Sequence, residues 1–147
     1  MKTQSQQSGV AMVEFTILLP FFLLLLLSLV ELGRAFYTYA ELEKISRDSA
    51  RFLSGEFKGT DGLYTLDDSN ITLTKNLAVY GSINGGTEAI IPALSTSQVE
   101  VTLTGNYVKV EIKYPYQPVM SFIPGYFTGK DIDLNFTLVS SYSMRVL

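Results

Sequence analysis

Gly9-Val10-Ala11-Met12-Val13-Glu14-Phe15 opens an apolar run that continues through Leu19-Pro20 to Val30 and closes at Glu31-Leu32-Gly33-Arg34. Between Phe15 and Val30 no residue is charged. As an α-helix the stretch from Val10 to Gly33 would measure about 36 Å, against a hydrocarbon core of about 30 Å, so it is long enough to cross a bilayer. Glu14 is the anomaly in it. A carboxylate near a bilayer centre costs roughly 2.5 to 3.5 kcal/mol, so this one either reaches to the headgroups at the membrane edge or is paired with a positive charge.

The polar residues before Gly9 invite comparison with a secretory signal peptide. Such peptides carry an apolar region of about 7 to 15 residues followed by a small-residue cleavage site. Here the small residues, Ser8-Gly9, precede the apolar run, and the far end offers no Ala-x-Ala step. The apolar stretch is therefore expected to stay in the mature protein. Pro20 lies inside it, where proline removes one backbone hydrogen bond and bends a helix. Membrane helices tolerate this when a hydroxyl or a neighbour satisfies the freed carbonyl, and Thr16 stands four residues earlier.

Helical periodicity continues past Gly33. Ala35, Tyr39, Leu42, Ile45, Ser49 and Phe52 recur at three- and four-residue steps, and Arg34, Glu41, Glu43, Lys44, Arg47, Asp48 and Arg51 occupy the remaining circumference. One helix over residues 10–54 is predicted, with Ser54-Gly55 as its stop. Its second half needs cover for one apolar stripe. Glu31 and Arg34, three apart on one face, can form a local ion pair or act as independent interfacial charges.

Downstream, Gly55 to Gly62 reads as a loop. Asp67-Asp68-Ser69-Asn70 offers N-cap chemistry for a short helix over 70–80 ending at Gly81, although Ile71-Thr72-Leu73-Thr74 also alternates like a strand. Gly81 to Ser97 reads as a long connection. Val99, Val101 and Leu103, the turn at Gly105-Asn106, and Val108, Val110 and Ile112 describe a hairpin with one apolar and one charged face. Pro115 and Pro118 are expected to stop its second strand. After a loop containing Pro124-Gly125, period-two apolar spacing from Ile132 to Met144 predicts one long third strand. Such a sheet gains stability by packing on a helix, and the amphipathic segment is the available partner. The fold expected is α+β: a long N-terminal helix, transmembrane in its first half, packed on an antiparallel sheet of three or more strands.

Composition narrows the function. The 147 residues contain 11 basic and 14 acidic side chains, for a net charge of −3, with no basic cluster of the kind that nucleic acid selects. Histidine and cysteine are both absent, which removes the commonest general base, the usual transition-metal ligands and the Ser-His and Cys-His nucleophile pairs. The spacing of Asp61, Asp67 and Asp68 fits no calcium-loop pattern. No catalytic residue, metal site or cofactor is predicted. Tyr107, Tyr114, Tyr116, Phe122, Tyr126 and Phe127 form an aromatic-rich region, read as core packing or, in an exposed subset, as a contact surface.

The pattern of a half-embedded helix under a small sheet resembles that of type IV pilins. GVAMVEF, Leu19-Pro20, Glu31-Leu32-Gly33-Arg34 and Ser49-Ala50-Arg51, together with Val99-x-Val101, Tyr107-Val108-x-Val110 and Tyr114-Pro115-Tyr116, are similar to the TadE-like family of tight-adherence (Flp) pilus systems. The resemblance implies a leader, residues 1–9, removed by a prepilin peptidase between Gly9 and Val10. It also implies a transmembrane segment 10–33, a soluble helix half 34–54, and an extracytoplasmic globular part 55–147. Implied partners are the peptidase, other pilin and pseudopilin subunits, an inner-membrane assembly platform and membrane lipid, in a bacterial or archaeal cytoplasmic membrane. Glu14 would become the fifth residue of the mature chain, with the new amino group of Val10 one helical turn away as a partner for assembly. Basic residues favour the opposite orientation, with Lys2 on one side against Arg34, Lys44, Arg47 and Arg51 on the other, so the orientation is taken from the resemblance. The alternative is an uncleaved, single-span anchored binding or accessory protein.

Overall fold

A computed structural model describes residues 4–56, 66–119, 121–123, 129–130 and 132–146. The expected loop residues 57–62, Asp61 among them, and Pro124-Gly125, Tyr126 and Phe127 lie outside the described residues. Two compact units divide the chain, Met1–Ala35 and Phe36–Leu147.

The first helix, α1 (Gln4–Glu56), is continuous across this division. It starts six residues earlier than the expected 10–54, because Gln4 to Ser8 contain nothing that breaks a helix and Gly9 costs only about 1 kcal/mol relative to alanine. Pro20 sits inside it without ending it. Within the first unit α1 exposes its apolar side chains from Val10 to Leu32, Val10 and Met12 at 70% and 74% for example, and buries Ala35. By length and composition α1 is long and apolar enough to cross a membrane.

In the second unit α1 buries a narrow stripe of Leu42, Ile45, Ser46, Ser49, Ala50, Leu53 and Ser54. This corrects the predicted stripe at two positions: Tyr39 is 40% exposed and Phe52 is only half-buried. Serines and Ala50 share the buried stripe with Leu42, Ile45 and Leu53, and the rings are turned to the flanks. The sheet is antiparallel in the order β1-β2-β5, formed by β1 (Val99–Thr104), β2 (Tyr107–Tyr116) and β5 (Phe136–Arg145). Its register places Val101 opposite Val110, and Val110 opposite Tyr142. One face is therefore built from Val99, Leu103, Val108, Ile112, Tyr114, Leu138, Ser140 and Met144 as well. Leu53 of α1, Val108 and Val146 form a buried cluster, packed round by Leu66, Val101, Leu103 and Met144. The long helix thus packs on a three-stranded antiparallel sheet, as expected.

Two strand boundaries differ from the sequence expectation. Pro115 does not stop β2; it pairs with Thr137 inside the β2–β5 ladder. The register explains this, since β1 reaches only as far as Ile112. Beyond that point β2 has a neighbour on one flank, where a missing N–H is tolerated. The predicted long strand from Ile132 to Met144 is instead two strands: β4 (Ile132–Asp133), which pairs with β3 (Phe122–Ile123), and β5. Asp133 Oδ1 accepts hydrogen bonds from the Asn135 backbone N–H at 2.9 Å and from Asn135 Nδ2 at 2.7 Å. This local turn chemistry breaks the strand despite its alternating pattern.

The short helix α2 (Asp68–Tyr80) settles the helix-or-strand ambiguity at Ile71 to Thr74 in favour of helix. Asp67 occupies the N-cap position without making a side-chain cap bond. Gly81 ends α2 at φ 70°, its N–H bonded to the Leu77 carbonyl. Ala78 and Val79 are buried, and α2 lies against β1. The connection that follows is ordered by a short 3-10 turn, Thr96–Gln98, in which Gln98 Oε1 accepts the Ser95 N–H at 2.9 Å.

Candidate functional site

Gly9, Val10 and Glu14 all lie on α1, so Val10 and Glu14 are four residues, about one helical turn, apart on the same face. Glu14 is exposed, like its apolar neighbours Val13 and Phe15 at 61% and 64%. Nothing lies within 4 Å of the position a Cβ on Gly9 would take. Packing among the described residues therefore gives no reason for a glycine there.

Further along the span, Thr16 Oγ1 donates to the Met12 carbonyl at 2.8 Å, and Ser28 Oγ donates to the Leu24 carbonyl at 2.8 Å. The Thr16 hydroxyl thus serves the turn before its own, and does not cap the carbonyl freed by Pro20. At the far end Arg34 Nη1 stands 3.5 Å from Glu31 Oε2. Just beyond, the Tyr37 phenol hydrogen-bonds to Glu41, whose carboxylate pushes the phenol pKa above its ordinary value.

Where α1 meets the sheet, a polar seam runs along the contact that the sequence reading did not identify. Ser46 and Ser140 hydroxyls are 3.0 Å apart, Ser46 Oγ also reaches the Glu43 carbonyl at 3.0 Å, and Ser54 Oγ lies 3.2 Å from Met144 Sδ. The Ser49 hydroxyl is buried without a partner among the described residues. Ser46, Ser49 and Ser54, three and then five residues apart within the apolar stripe, are the available signal. Arg47 sits over the Tyr142 ring at 5.4 Å from its centroid, while its guanidinium holds Glu43 at 3.1 Å. At the end of this seam an open groove of about 890 Å³ is lined by charged residues of both signs, Asp48, Arg51, Glu56 and Arg145, with Phe52 and Met144.

The charged face of the sheet is a surface ladder. Lys113 bridges Glu100 at 2.9 Å and Glu111 at 3.3 Å, and Lys109 also pairs with Glu111. Hydrogen bonds from Lys109 and Lys113 hold the Glu111 carboxyl below its usual range, and those that Lys113 donates to Glu100 and Glu111 raise its own pKa. Glu100 and Lys113 are exposed and Lys109 and Glu111 partly so, on the solvated face of the sheet. The aromatic region divides in two. Tyr114 and Tyr116 are buried, the first donating to the Pro92 carbonyl at 2.9 Å and the second 5.1 Å from the Phe136 ring centroid. Tyr107 and Phe122 are 55% and 49% exposed. Among the described residues no group of acidic side chains is placed to hold a metal ion.

An exposed apolar helix long enough to span a bilayer, continued by an amphipathic half under a small antiparallel sheet, defines a membrane-anchored protein of pilin-like fold. Residues 9–51 match the family model described as TadE-like protein, a pilin-type structural family of Tad pilus systems. The match bears out the resemblance read from the sequence over the helix, from Gly9 to Arg51, and does not reach the strand motifs. No curated protein and no solved structure matches the chain.

Proposed function

We propose that this protein is a TadE-like minor pilin or pseudopilin that takes part in assembly of a tight-adherence pilus. In this reading a prepilin peptidase on the cytoplasmic face of the inner membrane cuts between Gly9 and Val10. Residues 10–33 remain in the membrane, and residues 34–54 and 55–147 stand outside it. The observation that carries the reading is the family match, which begins at Gly9. Cleavage there removes Lys2 and no acid, and creates an ammonium at Val10 about one turn from Glu14. In a low-dielectric surrounding that ammonium, or the one on an adjacent subunit, offsets much of the desolvation cost of the carboxylate. Glu14 then sets the register between packed helices, in the way that a single buried polar group fixes the register of a coiled coil.

The partners in this reading are the peptidase, other pilin subunits, the assembly platform and lipid. The globular unit supports minor status in this reading, since the major pilins of such systems are much shorter chains. The alternative, an uncleaved anchored binding or accessory protein, draws on the helix running unbroken through Gly9-Val10, because a peptidase must unwind that turn to reach the bond.

Co-expression with an active prepilin peptidase, followed by mass determination of the N-terminus, separates the two. A chain beginning at Val10 is expected. An intact Met1 in cells whose peptidase cuts other substrates would overturn the proposal.

A further inference from the structure

Phe36 and Tyr37 are 65% and 67% exposed, the most exposed aromatic rings of α1 beyond the apolar run, and neither the sheet contact nor the processing site uses them. With about 100° of rotation per residue, Tyr37 lies about 150° round the helix from the middle of the buried stripe Leu42, Ile45, Ser46, Ser49, Ala50 and Leu53, and Phe36 about 110°. Both therefore point away from the sheet-covered side of α1.

Their depth is as specific as their direction. Counted from Gly33, the end of the apolar run, Phe36 and Tyr37 stand about 4.5 and 6 Å along the helix. The headgroup region on each side of a bilayer is about 5 to 7 Å thick, so with Gly33 at the hydrocarbon boundary both residues fall within it. Arg34, paired with Glu31 at 3.5 Å, marks the near side of that layer. Tyr37 carries its hydroxyl to Glu41, one turn farther from the apolar run. A ring with one apolar body and one polar end held toward water matches the chemistry of the bilayer interface.

We propose that Phe36 and Tyr37 form an interfacial anchor that inserts into the phospholipid headgroup layer and sets how far α1 stands out of the membrane. Both residues follow directly after the apolar span on the same helix, which is why lipid is their partner in preference to a second protein. The inference rests on α1 being a membrane anchor and is independent of cleavage at Gly9-Val10.

The chain contains no tryptophan, so one introduced indole is an unambiguous reporter. Full-length Tyr37→Trp and Leu18→Trp variants are reconstituted in vesicles of equal parts phosphatidylethanolamine and phosphatidylglycerol, containing lipid brominated either near the glycerol end or near the middle of the acyl chain. The Tyr37→Trp emission is expected to shift to shorter wavelength than in water and to be quenched more by the bromines near the glycerol. Leu18→Trp is expected to be quenched more by those at mid-chain. Long-wavelength emission from Tyr37→Trp, quenched by acrylamide and not by either lipid, would place the ring in water and overturn the proposal. Short-wavelength emission with no lipid quenching would place it against protein and also overturn it. Loss of mid-chain quenching at Leu18→Trp would overturn it through its premise, the membrane anchoring of α1.

Discussion

Glu14 and the serine seam show the same problem solved in two solvents: a polar group placed where water is scarce needs a partner. At the seam the partner is present. Ser46 gives its proton to the Glu43 carbonyl and accepts that of Ser140, whereas the Ser49 hydroxyl has no partner among the described residues. Leaving a buried donor unmade costs about 1 to 3 kcal/mol, while deleting an already unpaired one costs little. Ser46→Ala is therefore expected to destabilise the protein by about 1 to 3 kcal/mol. Ser49→Ala is expected to leave its stability unchanged or raised. Denaturant unfolding in detergent, followed by tyrosine fluorescence, measures both, and equal losses would refute the distinction. Glu14 was legible in the sequence because a charge inside an apolar run stands out. The seam was hidden because serine at helical spacing looks the same on a wet face and a dry one.

The elements were read well where one period dominated and poorly where a local bond intervened. Alternation gave the β1–β2 hairpin and its apolar face, and the spacing of Leu42, Ile45 and Ser49 gave the buried side of α1. Asn135 was missed because its hydrogen bonds to Asp133 end β4 without disturbing the alternating pattern. The place of Pro115 inside β2 is not legible locally, because its tolerance depends on where β1 ends, a fact of register and not of local sequence. Gly81 was read correctly as a stop, and its geometry gives a quantitative expectation. At φ +70°, with Ile90 Cδ1 3.3 Å from where a Cβ would sit, Gly81→Ala is expected to cost about 1 to 2 kcal/mol. Gly105, at φ +59° but with nothing within 4 Å, is expected to accept asparagine at little cost, since asparagine tolerates the left-handed region. Thermal unfolding of the two variants compares them directly.

For the molecule as a whole, the sequence carried the division of labour: an apolar helix for the membrane and an amphipathic continuation for the sheet. The aromatic pair at Phe36 and Tyr37 was not separable from core aromatics until burial showed which rings α1 leaves outside. What links the parts to a function is the account of the N-terminus, in which a cut at Gly9-Val10 gives Glu14 a cationic partner and makes it a register mark for assembly. That account separates processing from assembly, because Glu14 lies beyond the cut bond and acts only after it. In cells producing the peptidase and the other pilin subunits, the decisive measurement is co-purification of the mature chain with those subunits, wild type against Glu14→Ala. Both chains are expected to begin at Val10, and only the wild type is expected to bring the other subunits with it. Equal recovery of those subunits by a processed Glu14→Ala chain would contradict the account.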